Sequence, residues 1–316
     1  MSLAPFRLLP TFSPRPWGRR SLEPWYSAEL VAQSDEGTTE PIGEAWLTGP
    51  QSRVAEGPLT GWTLAEVARE HTGDLLGRWR DEGEFPLLLK LLFPDDKLSV
   101  QVHPDDEGAR QLGQPRGKTE CWYVVDAKPG ATVACGIRPG VTHQQMREAI
   151  AEGTLEILLL QIPVEAGDLV FVDAGTVHAI GPGVTLLETQ QTSDTTFRIF
   201  DYGRPRELHV EQGLKATKLA TDAGKVTPVS IAHGTRLVQQ RYFTVDRFTL
   251  RAGESLTLDD ACGRPHCLST LEGAADLHTD AASTVLQRSS ATVVPACASS
   301  LTITAREPFT VVRSMP

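Results

Sequence analysis

Gln101 and His103 stand two residues apart in the run K-L-L-F-P-D-D-K-L-S-V-Q-V-H-P-D-D, Lys90 to Asp106. Alternate side chains of a strand share a face, so this amide and imidazole, roughly 6–7 Å apart at the backbone, can converge on one metal ion. Pro104 ends the strand because it has no N–H for a ladder. Glu120 opens the next apolar strand in G-K-T-E-C-W-Y-V-V-D, with Lys118 and Trp122 on its side, and offers a carboxylate as a third corner. His178 is the fourth group, placed by the tight turn Asp173-Ala174-Gly175-Thr176 that precedes its strand. Two imidazoles, one carboxylate and one amide oxygen suit Zn²⁺, which takes N and O ligands. With one anionic ligand the site keeps about one positive charge, so it stays Lewis-acidic, and the lack of a cysteine ligand marks it as catalytic rather than structural.

Taken singly, each residue has an ordinary use. A histidine on a strand is commonly a hydrogen-bonded structural residue, the reading given to His71, His143 and His278. Gln101 alone would be a polar residue lining a barrel. Asp105 and Asp106 read as helix N-caps. Thr119, Cys121 and Tyr123 fall on the face opposite Glu120. Strand parity and turns place Gln101, His103, Glu120 and His178 consistently with one another.

Such a site needs strands to position it, and the chain supplies them. Short apolar or alternating runs recur at 87–93, 98–103, 120–126, 132–137, 168–172, 184–189 and 196–202, bounded by Gly, Pro and Asp, and resume at 242–250, 255–258, 292–295 and 301–304. With 27 Gly and 22 Pro spread without period, this predicts a mainly β protein of barrels or sandwiches. Capping boxes predict two helices: Thr63 with Glu66, stopped at Gly73, and Thr142 with Gln145, stopped at Gly153. A shorter helix is expected from Pro104 through Leu112. The 316 residues suffice for two domains at about 100–200 residues each. A polar stretch at 215–227 sets the expected boundary, giving a metal-binding domain at 1–222 and a smaller β domain at 223–316.

Composition excludes several classes. Lys plus Arg number 30 against 40 Asp plus Glu, a formal −10, which disfavours nucleic acid and anionic membranes as partners. An anionic ligand must therefore meet a local basic cluster. No apolar run approaches the roughly 18 residues of a membrane span; Pro86 to Phe93 is short and carries Lys90. Pro5, Pro10, Pro14 and Pro16 interrupt any secretory signal, and Cys121, Cys135, Cys262, Cys267 and Cys297 are odd in number with no Cys-x-x-Cys pair. Reduced thiols and a cytoplasmic address follow.

The segments Q-V-H-P-D-D, G-K-T-E-C-W-Y, D-A-G-T-V-H-A-I and T-T-F-R-I-F-D-Y-G-R resemble those of the type I phosphomannose isomerases in their short bacterial form, from Trp17-Gly18 through Arg204. The resemblance implies two cupin-like β-barrels of jelly-roll type with a few helices packed on the first, and zinc-dependent interconversion of mannose 6-phosphate and fructose 6-phosphate. It implies Gln101, His103, Glu120 and His178 as ligands, Arg198 as an active-site residue and Lys118 in the same pocket. The general second cupin motif is met by Gly167, Gly175 and His178, with Asp173 where Pro is usual and Gly183 where Asn is usual. The second barrel is expected to be metal-free.

Moving a proton between C2 and C1 of an open-chain sugar needs charge to stabilise the enediolate, a general base, and a cation for the phosphate. Arg198 is assigned to the intermediate or the phosphate; as a structural residue it would instead pair with Asp201. Lys118 is a base if burial and the metal lower its pKa, and otherwise a phosphate anchor; a zinc-bound hydroxide or Glu188 could serve as base instead. Two other classes share the barrel: an iron-dependent oxygenase and a sugar-phosphate-binding protein without turnover. The sequence leaves the oligomeric state open.

Overall fold

A computed structural model describes residues 3–34, 40–259 and 263–316; Cys262 lies outside them. Among these residues, four antiparallel sheets pair into two sandwiches. In the first, a seven-stranded sheet runs Gly224–Lys225, Leu169–Val172, Glu120–Ala127, Val184–Gln191, Leu87–Leu92, Ile42–Trp46 and Thr11–Arg19. Opposite it lies a five-stranded sheet, Phe197–Phe200, Val100–Val102, His178–Ile180, Thr132–Ile137 and Leu159–Pro163. Strand parity sorts the side chains: Trp122, Val124, Leu186 and Leu92 point between the sheets, where they meet Val133, Cys135 and Ile180. Their neighbours Cys121, Tyr123, Leu187 and Leu91 point the other way.

The second sandwich has the same plan. Its seven-stranded sheet comprises Phe6–Leu8, Ala291–Val294, His266–Glu272, Phe309–Met315, Thr244–Leu250, Gly234–Gln239 and Val229–Ile231, packed on Ser255–Leu258, Leu301–Ala305, Ala274–Thr279 and Ser283–Gln287. The two large sheets then bury their remaining faces in one shared layer, with Leu187 and Tyr123 from the first and Val245, Val293 and Val312 from the second. Among the described residues no strand pairing joins the two sheets of either sandwich, a two-layer arrangement in keeping with the jelly-roll type expected.

Both capping boxes form, at Thr63 with Glu66 and at Thr142 with Gln145, and Gly153 ends the second helix in a left-handed conformation. Gly73 does not stop the first. Helix Leu64–Glu70 breaks at His71, and Gly73 lies inside a second short helix, Thr72–Leu76. The break reorients the chain so that Leu75 and Leu76 join Leu64 and Val67 in the shared core. Asp105, but not Asp106, caps the helix Asp106–Gln111. The helix Val210–Ala216, which buries only Gly213 and Leu214, runs into the start of the polar stretch 215–227, and within that stretch Gly224–Lys225 pairs with Leu169–Val172. At the other end of the chain, Phe6–Leu8 pairs with Ala291–Val294 in the second sandwich.

Among the described residues no helix is long and apolar enough to cross a membrane. Cys121, Cys135 and Cys267 are free, buried thiols, and burial pushes Cys135 up to about 12.

Because Phe6 is buried in the shared layer and its strand edges the second sandwich, Phe6→Ala should cost about 3–5 kcal/mol despite its place near the chain end. Urea denaturation measures it; a loss under about 1 kcal/mol would show that the strand is dispensable.

Candidate metal centre

His103, Glu120 and His178 come from three strand segments and are all fully buried, and their ligand atoms lie within 4.8 Å of one another. Register explains the meeting. His178 lies directly opposite Gln101, and Gln101 directly opposite Arg198, so these three share the inner face of the five-stranded sheet. Glu120 enters from the facing sheet, on the same side of its strand as Trp122, whose ring stands edge-on to His178 at 5.4 Å. His103 follows one residue after its strand, with its ring centroid 4.8 Å from that of His178.

The hydrogen bonds fix both tautomers. His103 Nδ1 lies 3.0 Å from the Thr195 carbonyl and His178 Nδ1 2.9 Å from that of Thr176. A carbonyl oxygen only accepts, so each Nδ1 carries the proton and each Nε2 presents a lone pair. Those lone pairs face Glu120: His103 Nε2 is 3.5 Å from Oε2, and His178 Nε2 is 3.5 Å from Oε1. Neither Glu120 Oε1 nor His178 Nε2 has a hydrogen-bond partner. Protonating an imidazole would relieve this, but burial, with Lys118 and the neighbouring imidazole, holds His103 well below its usual value, and burial outweighs the Thr176 bond to hold His178 at about 4. Two buried electron-pair donors facing each other with no proton between them fit a cation, and their N and O chemistry fits a divalent one.

Lys118 adds a charge at the centre. Its ammonium donates to Glu120 Oε2 at 2.6 Å and to His103 Nε2 at 3.1 Å. Burial alone would lower its pKa, but Glu120, Glu188 and Asp194 outweigh it and raise it. With no cation at Glu120, the carboxylates around Lys118 keep it charged, and the condition for its acting as a base, a lowered pKa, is not met.

Lys118 and Gln101, next to the centre, line a cleft of about 450 Å³ together with Arg198, Arg15, Glu44, Lys90, Glu188, Asp194 and Arg206. Arg198 donates to the Glu207 carbonyl, and its buried Nε has no partner. Asp201 is held instead by Arg204 and Arg206. Opposite residues across three strands form an inward row: Trp122 Nε1 donates to Glu188, and the Lys90 ammonium is 3.6 Å from its other oxygen. Burial and Glu120 push the Glu188 carboxyl up against the pull of Lys118 and Lys90. Glu44 shows the opposite balance: burial opposes its charge, but Lys90, Arg15 and the Trp46 indole hold it below the usual range. Lys90 and Glu44 were not among the residues assigned from the sequence. Their signal was a charge at an inward parity position within an otherwise apolar strand. Arg15, on a Pro-interrupted strand, carried no such signal.

A Glu120→Gln variant keeps the shape and removes the charge. Bound divalent metal per chain should fall, with affinity at least roughly 100-fold weaker, in a metal analysis after equilibrium dialysis. Unchanged content would remove Glu120 from the ligand set.

Residues 5–137 match the family model for the catalytic domain of type I phosphomannose isomerase. Among curated relatives, mannose-6-phosphate isomerase of Streptococcus mutans is 37% identical over 248 residues, covering 74% of this chain and 75% of the relative. Mannose-6-phosphate isomerase ManA of Bacillus subtilis is 36% identical over 275 residues, covering 81% and 82%. The crystal structure of mannose 6-phosphate isomerase from Bacillus subtilis superposes with a TM-score of 0.83 at 31% identity, covering 99% of both chains. With its motifs, two-sandwich architecture and buried His-Glu-His centre, the chain belongs to the type I phosphomannose isomerase family.

Proposed function

We propose that this chain interconverts mannose 6-phosphate and fructose 6-phosphate through an enediolate, with Zn²⁺ held by Gln101, His103, Glu120 and His178. The observation that carries the reading is the pair of buried, partnerless donor atoms, Glu120 Oε1 and His178 Nε2, beside Lys118 and Gln101 of a polar cleft, in a member of this family. When bound, the cation supplies positive charge that lowers the cost of the negative charge developing on the sugar's O1 and O2.

The chain's own residues supply the rest. Lys118, its ammonium beside the ligands and facing the cleft, is assigned the proton transfer between C2 and C1 in the metal-loaded protein, where a cation on Glu120 would remove the partner that raises its pKa; otherwise it anchors the phosphate. Arg198, Arg15, Arg206 and Lys90 gather positive charge on a chain that is acidic as a whole, as a phosphorylated sugar requires. Arg198, with an uncommitted Nε, is assigned to the intermediate or the phosphate. The division into a metal-binding unit at 1–222 and a smaller β unit at 223–316 belongs to the same proposal, with Phe6–Leu8 lent to the second sheet. So does a cytoplasmic address.

A coupled assay following fructose 6-phosphate from mannose 6-phosphate tests the reading. Turnover should vanish on chelation and return with Zn²⁺; oxygen consumption, or binding without turnover, would overturn it. Lys118→Ala should abolish solvent-deuterium exchange at C2 while metal content stays normal. If exchange survives in Lys118→Ala and is lost in Glu188→Gln, the proton belongs to Glu188.

A further inference from the structure

The second aspartate of Q-V-H-P-D-D has no part in the chemistry above and does not cap its helix, the Gly108 amide being taken by Asp105. Its carboxylate turns toward the loop that carries Lys118. Asp106 Oδ1 accepts from the Gly117 amide at 2.9 Å and from Gln191 Nε2 at 3.1 Å. The side-chain oxygen of the same residue, Gln191 Oε1, in turn accepts from the Thr119 amide at 2.9 Å. Oδ2 accepts from the hydroxyl of Tyr242, which lies at the entry to the second sandwich, at 2.7 Å. The Lys118 amide itself donates to the Pro104 carbonyl at 3.1 Å.

Three consecutive amides are therefore held, and the two flanking Lys118 are held through one carboxylate. The seat has no slack: a Cβ on Gly117 would stand 2.5 Å from the Asp105 carbonyl carbon and 2.6 Å from the Pro104 oxygen. The turn that receives this loop is the one that follows His103. We infer that Asp106 is a positioning residue, fixing the loop 117–119 on the His103-Pro104 turn so that the Lys118 ammonium reaches Glu120 and His103, with Tyr242 bringing the second sandwich into the same network. The inference rests on the isomerase reading only for the work it gives to Lys118.

Hydrogen bonds to an ionised acceptor are the strong kind, and a group displaced by about 1 Å loses on the order of 100-fold in rate. Asp106→Ala should lower kcat roughly 10–100-fold with KM changing by no more than about threefold and metal content unchanged. Asp106→Asn keeps an oxygen for Gly117 and Gln191 and an N–H for the Tyr242 oxygen, and should recover most of the loss. Tyr242→Phe removes one bond and should fall between the two. In a double-mutant cycle, Asp106→Ala should add almost nothing to Lys118→Ala, because it acts through that side chain. Independently of turnover, hydrogen–deuterium exchange in the 114–121 segment should rise in Asp106→Ala and stay near wild type in Asp106→Asn. Multiplying losses in the double variant, failure of Asn to rescue, or unchanged exchange would each overturn the inference. A wild-type protein that does not turn over mannose 6-phosphate would instead remove the isomerase reading, and exchange alone would then decide the role of Asp106.

Discussion

A single carboxylate with no solvent access, facing the lone pairs of two imidazoles whose protons point away, sets the terms for this molecule. Glu120 is 0% exposed, and its nearest counter-charge is the one ammonium of Lys118, bound to only one of its two oxygens. Burying unbalanced donors is unfavourable unless a positive charge meets them. The surrounding design follows from this. The strand that carries Glu120 is central in its sheet, the carbonyls of Thr195 and Thr176 orient the imidazoles, and Trp122 walls off one side. The interior of the first sandwich is thereby graded, from an apolar end at Leu92, Leu186 and Val124 to a charged end at Lys90, Glu188 and Glu120.

That grading explains what was readable beforehand. His103, Glu120 and His178, which the structure brings together, were legible because strand parity and nearby turn residues, Pro104, Gly117 and Gly175, limit the register of each. The strand runs were legible for the same reason, since period-2 patterning and turn residues are local. Glu44 and Lys90 were not, because a charge within an apolar run reads as exposed until its partner, distant in sequence, is known. Asp106 was misread as a cap because Asp before a helical run favours that use, whereas Gly117, Gln191 and Tyr242 come from three remote segments. Gly73 marked the helix end by residue type, although the turn fell at His71 to bring Leu75 and Leu76 inward. The edge strand Phe6–Leu8 is too short to show a period.

The two sandwiches share an apolar layer rather than a linker, so the second stiffens the first. Leu237, Val245 and Val312 press on the back of the sheet that bears Glu120 and Glu188 on its front. Closely packed interiors transmit displacement, so a change on this layer is felt in the polar row a strand's thickness away.

The pairing of Phe6–Leu8 has a consequence for biosynthesis. Phe6 leaves the ribosome well before its partner Val293, which follows about 290 residues later. At about 5–20 residues per second, this strand waits tens of seconds, with its apolar side chains and its ladder of amides unmatched, until Ala291–Val294 emerges. A segment made early is thus seated late, and that edge of the second sandwich stays open to other strands in the interval.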